Sequence, residues 1–125
     1  IMNKIGHIGI YVADLEKMRL FFEDYFGVVA GNMYHNHNTG LSTYFLTFDN
    51  GSQLELLNLP GVSSCTDDTP CHLAISVGSK AIVDEKTILL KRNGYRVLGG
   101  PRKTGDGYYE SCVAGPEGLK IEITV

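Results

Sequence analysis

The chain has 125 residues, 43% of them hydrophobic, and a formal charge of −3. That size suits a single domain, residues 1–125, with a core of its own. The acidic balance argues against a nucleic-acid partner, which needs a basic face, and no run of 18 apolar residues offers a membrane span. Three cysteines, Cys65, Cys71 and Cys112, occur without a CxxC pair, which fits a reducing compartment better than a disulfide scaffold. With no signal-peptide pattern, the chain is expected to be cytoplasmic, with Met2 as its native start and Ile1 an addition.

In chain order, the first element is HIGIYV at 7–12. Ile8, Ile10 and Val12 alternate with His7, Gly9 and Tyr11, the period of a strand. Asp14 then supplies an N-cap, and Leu15, Met18, Phe22, Tyr25 and Phe26 recur at helical steps up to Gly27, which sits where a C-terminal glycine belongs. Residues 28–33 read as a second strand, 35–40 as a polar loop and 41–48 as a third strand. Asp49-Asn50-Gly51 makes a hairpin turn into a returning strand, 53–57.

The stretch 59–70, rich in Pro, Gly, Ser, Thr and Asp, reads as a linker. After it the same order begins again with HLAISV at 72–77. Ser79 caps a helix carrying Ile82, Val83, Leu89 and Leu90, ended by Asn93-Gly94. A short strand at 95–98, a Gly/Pro/Lys/Arg loop at 99–105, a strand at 108–113, a turn at 115–118 and a last strand at 119–125 follow. Each half is strand–helix–strand–strand–strand, with modules at about 5–58 and 71–125.

Each half opens with a histidine and closes with a glutamate set between apolar neighbours. Glu55 lies between Leu54 and Leu56, and Glu122 between Ile121 and Ile123. Alternation turns those neighbours towards the helix and the glutamates, with the histidines, to the opposite face. A sheet curved over that face would bring His7, Glu55, His72 and Glu122 towards one axis. Two imidazoles and two carboxylates suit one divalent metal ion per site: zinc, nickel, cobalt, manganese or iron. A lone histidine or glutamate on a strand is usually structural, but four at equivalent positions of a repeat are not read that way.

Other candidates weigh less. His35 and His37, at i and i+2 with no carboxylate nearby in sequence, read as an exposed loop or a contribution to the pocket rim. The segment GPRKTGDGYYES at 100–111 reads either as a solvated turn or as a mobile loop that holds an anionic substrate group through Arg102 and Lys103. Cys71 adjoins His72, but strand neighbours point to opposite faces, so a Cys–His nucleophile is not expected.

HIGIYVADL, HLAISV and PEGLKIEIT together resemble the glyoxalase / bleomycin-resistance / dioxygenase superfamily, the vicinal oxygen chelate fold, over nearly the whole chain. The resemblance implies an α+β fold of two tandem βαβββ modules forming curved mixed sheets around a metal site, often as a homodimer. In the glyoxalase I branch the ligands correspond to His7, Glu55, His72 and Glu122. The ring-cleaving dioxygenases and thiol transferases use two His and one Glu, so Glu55 favours a lyase or isomerase. Glutathione-using members carry Arg and Asn where this chain has Tyr11 and Leu59, with Asn58 one position early, which implies another thiol or an unrelated acyl substrate.

The expected activity is transfer of a proton alpha to a carbonyl of a small-molecule substrate, through a metal-bound enediolate, as in lactoylglutathione lyase. Glu122 is the expected base and Glu55 its partner, with Tyr11, Arg102, Lys103 and Tyr109 near the substrate. Two alternatives stand beside it. One is a thiol transferase of the fosfomycin-resistance type, needing only His7, His72 and Glu122. The other is a metal-free drug-binding protein with a pocket of Tyr11, Tyr44 and Tyr109.

Overall fold

A computed structural model describes residues 2–64 and 71–125. The chain divides into two compact units, Ile1–Cys65 and Thr66–Val125. Cys65 and half of the expected linker lie outside the described residues.

The first unit runs β1 (Ile8–Tyr11), α1 (Leu15–Phe26), β2 (Val29–Ala30), β3 (Tyr34–His35), β4 (Ser42–Thr47) and β5 (Gln53–Asn58). The helix forms where the sequence signals it. The Asp14 carboxylate accepts the Lys17 N–H at 3.0 Å, and Gly27 adopts φ 64° to close the last turn. Its apolar stripe, Leu15, Met18, Phe21 and Phe22, packs on Leu46, Leu54 and Leu56 of the sheet. Fully burying a side chain such as Phe22 contributes about 1.5–3 kcal/mol. The strand order is β1-β5-β4-β2, with β3 added to β4. β1 runs parallel to β5 and the other pairs are antiparallel.

The second unit runs β6 (His72–Ser76), α2 (Lys80–Arg92), β7 (Arg96–Lys103), β8 (Tyr109–Ala114), a 3-10 turn (Pro116–Gly118) and β9 (Lys120–Thr124). Ser79 caps α2 by accepting the Ile82 N–H. Val83 and Leu90 of the helix pack against Val113, Ile121 and Ile123. The order is β6-β9-β8-β7, again with one parallel pair, β6 with β9. The architecture is therefore α+β, two βαβββ-like modules each building a mixed sheet.

Three local expectations are corrected. The second strand is confined to Val29–Ala30, and the polar loop begins with a short strand, β3, that no periodicity could signal over two residues. The loop expected at 99–105 is mostly strand, since β7 continues to Lys103. Its Gly-Gly-Pro stretch is absorbed by register shifts between Val97 and Arg102, so glycine and proline mark bulges here rather than an exit from the sheet.

Candidate metal-binding and catalytic residues

The parallel pairing in each unit explains the repeated sequence pattern. In β1–β5, Gly9 lies beside Glu55; in β6–β9, Ala74 lies beside Glu122. Both are the small residue two places after the histidine. A Cβ on Gly9 would crowd Leu57 Cδ1 at 3.0 Å while standing in ordinary contact, 3.6 Å, with Glu55 Oε1.

His7 Nε2 lies 3.5 Å from Glu55 Oε1, and the ring meets Phe45 edge-on at 5.1 Å between centroids. In the second unit His72 Nε2 lies 2.6 Å from Glu122 Oε1, a hydrogen-bond distance. The histidine side chains are 47% and 50% exposed and the glutamates 17% and 25%, so in each pair the carboxylate is the more buried member.

Two donors bound side by side on one ion, each at about 2.1 Å, lie roughly 3.0–3.4 Å apart. The first pair is already close to that separation, and the second opens to it by less than about 1 Å. Imidazole with carboxylate is also a donor set that borderline divalent ions accept. Each His–Glu pair, taken within its own unit, thus fits such an ion as two of its donors. Among the described residues no group of three or more His, Cys, Asp or Glu is gathered within metal-binding reach.

Glu110 was not singled out by sequence. It stands two residues from Cys112, which pairs with Glu122, so Glu110 and Glu122 share a sheet face diagonally. A hydrogen bond to Glu122, then burial and the neighbouring negative charge, push the Glu110 carboxyl above its ordinary value. Arg102, directly opposite Glu110 on β7, offsets part of this. Burial, followed by the Glu122 charge, likewise raises the Cys112 thiol, which keeps it a poor nucleophile. Alternation along β8, a strand expected at 108–113, is the signal that finds Glu110.

The remaining expected substrate contacts separate into two groups. Tyr11 alternates with Gly9 on β1 and so shares the face of Glu55, and Arg102 shares the face of Glu122. Tyr109 and Lys103 pair with one another on the face opposite Glu110. The Tyr109 hydroxyl donates to Asp84 of α2 at 2.6 Å, with Lys80 Nζ 5.6 Å from its ring centre. Tyr44 likewise turns to α1, donating to Glu16 with the Arg19 guanidinium over its ring. The Tyr44 hydrogen bond, with that from Arg19, holds Glu16 below the usual carboxylate range. Asn58 donates to the carbonyls of Val12 and Ala13 at 2.8 and 3.2 Å, fastening the exit of β1. An open groove of about 390 Å³ by the start of α1 is lined by Asp14, Glu16, Met33, Ser42 and Asn58, apart from the His7–Glu55 pair.

Strand–helix–strand units that each hold a His–Glu pair across a parallel strand pair define a class. Residues 4–123 match the Glyoxalase/Bleomycin resistance protein/Dioxygenase superfamily, and the chain belongs to it. It is 31% identical over 124 residues to the uncharacterized protein YqjT of Bacillus subtilis (strain 168), covering 94% of each chain. Among solved structures it resembles a possible glyoxalase from Bacillus cereus, 25% identical with TM-score 0.75 over 98% of each chain. It also shares the fold of the fosfomycin resistance protein FosX of Listeria monocytogenes, solved with Mn(II) and sulfate. That pair is 17% identical with TM-score 0.78, covering 100% of this chain and 93% of the other. Among the described residues no helix is long and apolar enough to cross a membrane.

Proposed function

We propose that the chain is a metal-dependent lyase or isomerase of the glyoxalase I type, acting on a small carbonyl substrate in the cytoplasm as a homodimer. The observation that carries this reading is the recurrence of one His–Glu contact, with its small neighbour, in both units. His7, Glu55, His72 and Glu122 would hold one divalent ion. Bound there, it supplies Lewis acidity to the substrate carbonyl oxygen.

Glu122 takes the proton alpha to that carbonyl and returns it to the adjacent carbon. Glu110, through its hydrogen bond, orients Glu122. Arg102 offers a positive charge to an anionic substituent, and Tyr11 with Phe45 forms an apolar wall on the Glu55 side. The free thiols of Cys71 and Cys112 suit a reducing compartment.

The test is metal content by mass spectrometry on protein purified without chelator or nickel resin. About one divalent ion per chain is expected, lost in His72→Ala. Glu122→Gln should lower kcat by about 10²–10⁴-fold in a thiohemiacetal and epimerase screen while metal is largely retained. No ion as purified, with no uptake of zinc, nickel, cobalt or manganese by folded protein beyond what His72→Ala also takes up, overturns the reading.

A second reading is addition of a thiol to an epoxide, which needs only His7, His72 and Glu122. Unimpaired turnover in Glu55→Ala would select it. The drug-binding alternative loses two of its three wall tyrosines to Glu16 and Asp84.

A further inference from the structure

The chain has four histidines. Two belong to the His–Glu pairs; the other two, His35 and His37, meet each other. Their ring centroids are 4.7 Å apart with planes at 80°. Two imidazoles on one ion, with metal–nitrogen bonds of about 2.0–2.1 Å, place their centroids roughly 4.5–5.2 Å apart. The rings already have that spacing.

The loop that carries them is fixed by its own hydrogen bonds. Asn36 N–H donates to the Leu41 carbonyl and Gly40 N–H to the Asn36 carbonyl, both at 2.8 Å. The Asn36 side chain accepts the N–H groups of Asn38 and Thr39 and donates to the Tyr34 hydroxyl. Gly40 takes φ 79°, which lets the chain turn back into β4. His35 is oriented as well, its Nδ1 lying 2.7 Å from Ser42 Oγ. A hydroxyl on one ring nitrogen leaves Nε2 as the nitrogen for a metal and fixes the ring plane, the usual role of a partner behind a ligating histidine. Both residues are exposed, so desolvation does not oppose an ion there.

We propose that His35 and His37 form a second metal site, a two-imidazole chelate that takes Cu²⁺, Ni²⁺ or Zn²⁺ with water completing the shell. Imidazole without carboxylate favours these ions over Mn²⁺. The site is independent of the four residues proposed above for the catalytic ion.

Zn²⁺ or Cu²⁺ titrated to excess, followed by gel filtration and metal counting, tests it. Wild type should carry one ion more per chain than His35→Ala/His37→Ala, and His72→Ala should keep that increment. A failure of the catalytic-ion reading is thus visible separately. Cu²⁺ spectra should show two nitrogen couplings that the double variant lacks, and Ser42→Ala should weaken binding about 10–100-fold. Untagged wild type, but not the double variant, should be retained on immobilised Ni²⁺. Equal metal uptake and equal retention by the two proteins would overturn the site, and unchanged affinity in Ser42→Ala would overturn the orienting role of the hydroxyl.

Discussion

The contact that seats β8 under α2 makes a quantitative prediction. Thr87 and Ser111 are both buried. Thr87 Oγ1 lies 2.6 Å from the Val83 carbonyl and 2.7 Å from Ser111 Oγ. A carbonyl can only accept, so the single Thr87 hydroxyl proton goes to Val83 and Ser111 must donate to Thr87. The two truncations are therefore unequal. Ser111→Ala removes one hydrogen bond and leaves Thr87 satisfied, costing about 0.5–1.5 kcal/mol. Thr87→Val keeps the shape but strands a buried hydroxyl, costing about 1–3 kcal/mol. The double variant removes both polar groups and should cost less than Thr87→Val alone, since replacing both partners by apolar groups is close to neutral. Urea unfolding of the four proteins, with unchanged m values, gives the cycle. Single costs that add to within about 0.5 kcal/mol, or a larger cost for Ser111→Ala than for Thr87→Val, would refute the proton assignment. Ser111 lies between Glu110 and Cys112, so the same contact holds the strand whose other face meets Glu122.

Two further outcomes are expected. Gly100→Ala should destabilise by more than about 1 kcal/mol, lowering Tm by several degrees. The cause is local: at φ 74° its Cβ would stand 2.5 Å from the Glu110 carbonyl oxygen and 3.0 Å from Ser111 Cα, both backbone atoms. The Tyr44–Glu16 contact should appear in the pH dependence of stability. Glu16 is lowered in the folded chain, so its contribution is present above the ordinary carboxylate value, about 4.3, and is lost as pH falls through the lowered one. Tyr44 is raised by the same bond, so its contribution is complete below about pH 10 and is lost as pH rises above that. Tyr44→Phe should flatten both limbs of a Tm-versus-pH curve, and an unchanged curve would count against the contact.

The parts legible in the sequence were those carried by a period. Alternation around Glu55 and Glu122 gave the face of each glutamate, and the caps at Asp14 and Ser79 gave the helix starts. What failed was direction inferred from residue type. Tyr44 and Tyr109 were grouped with Tyr11 because tyrosines line pockets, yet Tyr44 is in register with Leu56 and Tyr109 sits two residues before buried Ser111, both on helix-facing positions. Register, not side-chain chemistry, decides the face, and register needs the strand boundaries. The Gly-Gly-Pro stretch hid the extent of β7 and left Arg102 in a supposed loop, although it pairs with Glu110 of the neighbouring strand.

The repeat is not chemically symmetric, and the difference bears on the choice of base. Cys112 pairs with Glu122 as Phe45 pairs with Glu55. The position of Glu110, two residues earlier, is occupied in the first unit by buried Thr43. Directly opposite Glu55 stands Phe45, whose ring meets His7 edge-on. The face around Glu122 carries Glu110, Arg102 and a histidine at hydrogen-bond distance. A carboxylate that must accept a proton and return it benefits from a second carboxyl that holds it in one orientation and from a nearby cation that steadies the pair's charge. A carboxylate that serves only as a ligand needs neither. For the function proposed above, the asymmetry supports assigning proton transfer to Glu122 and leaving Glu55 as a ligand only.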